Sequence, residues 1–146
     1  MTDAFRPTEL VERASAALAG RSEVQEAYLF GSQARGDAGA LSDVDVAVYV
    51  DPAALERPGF GIQAELGADL QAALSRSDVD VVLLNHASPL LYHRILRDGV
   101  RILCRSGPAT VTREGQALSR YCDFVPQLRK IEAAHRARIA AGNFGR

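Results

Sequence analysis

The run from Asp43 to Val50 constrains this chain more than any other part of it. Val44, Val46, Val48 and Val50 fall on one side of an extended backbone, and Asp43, Asp45, Ala47 and Tyr49 fall on the other. That alternation predicts a β-strand with its valine face against a core, ended by Asp51-Pro52. Strand residues two apart point the same way, so the Asp43 and Asp45 carboxylates project together, about 6.6–6.8 Å apart along the backbone. Like charges so placed destabilise the fold unless a cation sits between them. Magnesium suits the position, because it is a hard ion that binds through carboxylates plus substrate phosphates.

Asp80 adds a third acid. It interrupts an otherwise apolar predicted strand, Val79 to Leu84, where a charge is costly to bury without a partner. If the two strands are neighbours, Asp80 completes a cluster with Asp43 and Asp45. Such a cluster could hold two metal ions roughly 3.5–4 Å apart for in-line displacement at phosphorus. Each acid also has a structural reading, Asp43 as a strand cap after Ser42 and Asp80 as a charge that keeps an edge strand soluble.

The remaining elements alternate. Thr8 as N-cap, or Pro7 as first residue, opens a helix that Gly20 stops. Ala27 to Phe30 suits a strand that ends at Gly31-Ser32, and Gln33 to Leu41 reads as a loop with one helical turn. Ile62, Leu66, Leu70, Ala73 and Leu74 mark a second helix. Ser88-Pro89 opens a third that Gly99 closes, and Val100 to Cys104 forms a further strand. Leu118, Tyr121, Val125, Leu128 and Ile131 recur at helical spacing in the last third, with Pro126 expected to bend or interrupt that helix near Val125. The expected fold is α/β (α+β): a mixed sheet with helices packed against it and a C-terminal helical segment. The chain reads as one domain over residues 1–146, with a core at about 8–105 and the helical segment at about 110–141.

Gly31-Ser32 directly follows a predicted strand. Glycine there lets the backbone approach a ligand, and serine adds a hydroxyl donor. If Gln33 to Arg35 begin a helical turn, its free N–H groups favour phosphate, and Arg35 adds a charge-assisted contact to a triphosphate oxygen. A P-loop NTPase is disfavoured, since the chain contains no G-x-x-x-x-G-K-[ST] run.

A formal charge of −1 gives no whole-molecule attraction to nucleic acid. The charge is uneven, however: residues 127–146 carry a net of +4, which leaves −5 on the first 126. A basic tail of this kind either binds a partner or a phosphate-rich ligand, or is a solvated helix face. Cys104 and Cys122 lie far apart and read as reduced thiols. Asp3 and the absence of a long apolar run near it argue against a secretory signal, and no segment approaches the ~20 apolar residues of a membrane span, so the expected location is cytoplasmic.

Gly31-Ser32, ten intervening residues and Asp43-Val44-Asp45 resemble the G-S-x10-D-x-D motif of the DNA polymerase beta-like nucleotidyltransferase superfamily. Asp80, in the strand after the intervening helix, matches the third acid of that pattern. Ser88 to Arg105 (SPLLYHRILRDGVRILCR) and Arg120 to Phe124 (RYCDF) are similar to the minimal nucleotidyltransferase, MntA-like antitoxins of HEPN/MNT toxin–antitoxin systems. The resemblance covers nearly the whole chain and is weaker before Glu26 and after Gln127.

The resemblance implies transfer of AMP from ATP to a tyrosine hydroxyl of a cognate HEPN ribonuclease toxin, within a stable hetero-oligomeric complex. It implies that Asp43, Asp45 and Asp80 ligate two Mg2+ ions, that Asp80 can accept the proton of the attacking hydroxyl, and that Gly31, Ser32 and Arg35 hold the triphosphate. Pyrophosphate is the leaving group. Two other readings remain at this point: a small-molecule nucleotidyltransferase, and a binding-only antitoxin that masks its partner. A transferase acting directly on nucleic acid is disfavoured by the few aromatics and by basic charge confined to the tail. Arg129 and His135 fit the loose R-x(4–6)-H pattern of HEPN ribonucleases, but in a helix of a chain already occupied by a nucleotidyltransferase-like domain. His135 is therefore read as a surface or partner-facing residue, His86 as a turn residue and His93 as packing or surface.

Overall fold

The structure is a computed structural model and describes residues 7–31 and 43–142. In chain order these form helix α1 (Pro7–Ala19), strands β1 (Val24–Phe30) and β2 (Val44–Val50), a 3-10 turn (Pro52–Glu56) and helix α2 (Gly61–Leu74). Strand β3 (Val79–Leu83), a second 3-10 turn (Leu84–His86), helix α3 (Pro89–Asp98), strand β4 (Val100–Cys104) and helix α4 (Gly107–Ala140) follow. The strands make one four-stranded sheet in the order β3-β2-β1-β4. β1 runs antiparallel to both β2 and β4, while β2 and β3 are parallel, so the sheet is mixed. A parallel pair needs a crossover connection, and α2 supplies it.

Each face of the sheet is covered by one pair of helices. The four valines of β2 lie fully buried with Leu10, Ala14 and Leu18 of α1 and Ile62, Leu66, Leu70 and Leu74 of α2. Burying a Leu or Val side chain contributes about 1.5–3 kcal/mol, so this layer is the main source of stability. On the other face Tyr28 and Ala47 pack with Tyr92 and Ile95 of α3 and Ala117 of α4. Both faces of β2 are therefore covered, and its acids are admitted only at its first residues.

Local signals act where the sequence places them. α1 begins at Pro7, so proline opens it in preference to a Thr8 cap. Its C-terminal carbonyls are met by Arg105, which donates to Leu18 O at 3.3 Å and Ala19 O at 3.0 Å, and to Arg21 O at 2.8 Å just beyond the helix. Ser88 Oγ accepts from Leu91 N at 3.2 Å ahead of Pro89, and Gly99 follows the last residue of α3. Asp51 closes β2 by accepting from Ala53 N at 3.0 Å.

Of the two outcomes expected at Pro126, interruption does not occur: α4 runs as helix through its 34 residues, with Pro126 inside it. Proline removes the bond to the Cys122 carbonyl, but Cys122 and Pro126 are both exposed, so water can satisfy that oxygen. The buried face of α4 also differs from the expected one by one residue. Ala117 is 1% exposed, whereas Leu118 is 53% exposed.

Candidate active site

β2 and β3 pair in the register Val44↔Val79, Asp45↔Asp80, Val46↔Val81, so the second and third acids are direct cross-strand neighbours. Adjacent strands lie about 4.8 Å apart, which sets the spacing of the two backbones. The bond from Val44 N to Asp78 O at 2.9 Å fixes this register at the strand entrance. Asp43 immediately precedes β2 and is exposed, as is Asp80, while Asp45 between them is half-buried. β3 is an edge strand, so the edge position considered for Asp80 is real, and it coexists with the pairing to Asp45.

The electrostatics follow from that placement. The Asp45 carboxyl is pushed above its ordinary range, first by burial and then by the charges of Asp80 and Asp43. Asp45 therefore feels the charge of both other acids. No ion pair to Asp45 or Asp80 is formed among the described residues. Arg76 lies close enough to Asp43 to feel its field, and it is clamped to Asp78 by bonds of 2.7 and 2.6 Å. Sequence reading did not single out Arg76, because nothing in the local text R-S-D-V-D shows that the turn folds back beside Asp43.

Gly31 completes the described part of the site. Its φ is +75°, a conformation that L side chains rarely adopt, and a Cβ there would collide with the Asp45 carboxylate. Phe30, the residue before it, pairs with Asp45 across β1 and β2. Bare backbone thus borders Asp45, as a phosphate-binding turn requires. Ser32 and Arg35, the other expected phosphate contacts, lie outside the described residues.

Among the described residues, no group of three or more His, Cys, Asp or Glu is placed to hold a metal ion by itself. Magnesium nevertheless fits this donor set, because it is usually held by one or two carboxylates and completes its shell with phosphate oxygens and water. An open pair of uncompensated carboxylates beside a glycine backbone meets that requirement.

The remaining candidates fall on other elements. His86 is exposed in its 3-10 turn, and His93 stacks on Tyr121 at 3.7 Å between α3 and α4. Arg129 and His135 are both exposed on α4. Cys104 and Cys122 are free thiols. One buried charge cluster was not anticipated. Glu26, fully buried on β1, accepts from Arg113 Nε at 3.1 Å and from the Tyr92 hydroxyl at 3.4 Å. The Arg113 guanidinium lies over the Tyr49 ring at 4.4 Å. This cluster ties the sheet to α3 and α4 on the same face as Asp45.

A mixed sheet that pairs two acids on parallel strands, beside a positive-φ glycine at the end of an antiparallel neighbour, has the frame of a nucleotidyl-transfer enzyme. The chain belongs to the family described as "Polymerase beta, Nucleotidyltransferase", which it matches over residues 12–107.

Solved structures share its fold. One similar chain comes from the complex of a tri-AMPylated Shewanella oneidensis HEPN toxin with MNT antitoxin: it is 21% identical, has a TM-score of 0.69, and the match covers 90% of this chain and 99% of that one. Another is from a MntA–HpeT toxin–antitoxin mutant in which two aspartates two positions apart are replaced by glutamate, at 20% identity and a TM-score of 0.70, covering 90% and 99%. A third is from a toxin–antitoxin structure with AMP-PNP, at 21% identity and a TM-score of 0.57, covering 94% and 98%. No match is found among curated proteins.

Proposed function

We propose that this chain is an antitoxin nucleotidyltransferase that transfers AMP from ATP to a tyrosine hydroxyl of a cognate HEPN ribonuclease toxin. The observation that carries the reading is the Asp45↔Asp80 register beside Gly31, in a chain of the polymerase beta nucleotidyltransferase family. The acceptor and partner rest on likeness of fold to chains of HEPN toxin–MNT antitoxin complexes, one of which contains a tri-AMPylated toxin.

In the proposed reaction the backbone at Gly31, with Ser32 and Arg35, binds the triphosphate. Asp43, Asp45 and Asp80 would hold Mg2+, which when bound neutralises charge developing on the phosphates and acidifies the acceptor hydroxyl. Asp80, exposed at the edge strand, is open to an acceptor arriving from a second protein and takes the hydroxyl proton. The acceptor oxygen bonds to the alpha phosphorus as its bond to the bridging oxygen breaks, and pyrophosphate leaves. Arg76, held by Asp78, keeps a positive charge beside Asp43. The expected setting is the cytoplasm, where ATP is available, and no helix among the described residues is long and apolar enough to cross a membrane.

The test is to incubate the chain with a candidate HEPN partner protein, Mg2+ and each nucleoside triphosphate, and to locate the mass added to the HEPN protein. AMP on a tyrosine is expected, with none transferred by an Asp45→Asn variant. Normal labelling by that variant would refute the site. Full protection against the toxin without any label would favour an antitoxin that acts by binding alone.

A further inference from the structure

We infer that the outer part of α4 is a docking surface for an amphipathic helix with acidic flanks, carried by the partner protein. The inference rests on the reading of the chain as one half of a two-protein complex, and it names the element that holds the halves together.

The observation is an apolar face that outruns the body it packs on. Ala117 is buried against α3 and the sheet, and it is the last buried residue of α4. The same face continues through Tyr121, Phe124, Leu128 and Ile131 in alternating steps of four and three; His135 takes the next position and Ile139 the one after it. That spacing is the seam of paired helices. Ile131 is 59% exposed and Ile139 is 44% exposed, and no element among the described residues covers them. Solvent alone gives this stretch little reason to be helical, since a lone helix interrupted by proline is marginal in water. A partner helix laid along the seam supplies the missing burial.

Charge selects the occupant. Helical spacing places Arg120 and Arg138 along one edge of the apolar face and Arg129 and Arg136 along the other, with Glu132 the one acid between the edges. In a pair of such helices from two copies of this chain, arginine edge would meet arginine edge in either orientation. A partner helix bearing Asp or Glu on both sides of its apolar stripe turns that repulsion into attraction.

The test is a titration of the full chain with the HEPN protein at low and raised salt, with uptake of ATP measured in parallel. Leu128→Glu together with Ile131→Glu is expected to weaken the complex at least about 30-fold, the loss typical of central apolar anchors. Arg129→Glu with Arg136→Glu and Arg138→Glu is expected to weaken it about tenfold or more and to flatten its salt dependence. ATP uptake and the far-ultraviolet spectrum stay as in the wild type. If the wild-type chain binds and labels the HEPN protein and both variants bind equally well, the docking surface is wrong and the transfer reaction stands. A wild-type chain that takes up ATP but neither binds nor labels the HEPN protein would overturn the proposed function, and this surface with it. Self-association of the wild type that the seam variant loses would assign the face to a second copy, and capture by anionic vesicles in place of the HEPN protein would assign it to a lipid surface. Either result overturns the proposal.

Discussion

Gly31 and Asp45 occupy space that only a residue without a side chain leaves open: a Cβ on Gly31 would run into the Asp45 carboxylate. The turn after β1 and the central acid of β2 are therefore one unit, and changing either alters the other. Gly31→Ala forces both a strained positive φ and a displaced carboxylate. A loss of about 1–2 kcal/mol in urea unfolding is expected, with transfer of AMP reduced at least about a hundredfold. A Gly31→Ala protein with wild-type transfer would separate the turn from the acids.

Asp45→Asn is expected to abolish transfer without loss of stability. The carboxylate is held above its usual range by burial and by Asp80 and Asp43, so its charge opposes folding when no cation is bound. Removing the charge leaves the metal-free melting temperature unchanged or higher. A marked drop would mean that Asp45 has a structural partner.

Asp78 sets a pH dependence of the opposite sign. Its pKa is lowered, first by the hydrogen bond from Arg76. A carboxylate of this kind adds stability above its unfolded value of about 3.9 and loses it as pH falls through its lower folded value. Asp78→Asn should therefore be less stable than the wild type at neutral pH, with the difference vanishing in acid. The pair is partly exposed, so salt should shrink the gap. Urea midpoints measured at neutral and acidic pH check both statements.

Arg113→Met removes the cation from the fully buried Glu26. Leaving such a charge uncompensated typically costs about 3–5 kcal/mol, whereas replacing both partners by apolar residues of similar size recovers most of it. The double variant Glu26→Leu, Arg113→Met is expected to unfold at higher urea than Arg113→Met alone. Strictly additive losses would show that the two charges do not interact.

Pro126→Ala restores a hydrogen bond to the Cys122 carbonyl. The expected outcome is slower hydrogen exchange at amides near the substitution, worth up to about 3 kcal/mol locally. Exchange unchanged there would mean that the outer part of α4 is set by something other than helix propensity.

The sequence by itself determined the second and third strands and the acids at them, while it started the first strand at Ala27 where the fold starts it at Val24. A period of two in β2 separates four core valines from Asp43 and Asp45, and Asp80 stands out because an apolar run has no other use for it. Such patterns are local, so they survive without knowledge of the rest of the chain. What only the tertiary structure decided is which elements meet. The register that sets Asp80 beside Asp45, the pairing of Phe30 with Asp45 and the placing of Arg76 near Asp43 depend on how strands and turns return to one another. The buried Glu26–Arg113 pair joins residues far apart in the chain, each ordinary in its own surroundings. The course of α4 through Pro126 was undecidable locally for the same reason. A proline's cost is fixed by the residue, but whether the helix bears it depends on whether the carbonyl it strands faces water or protein.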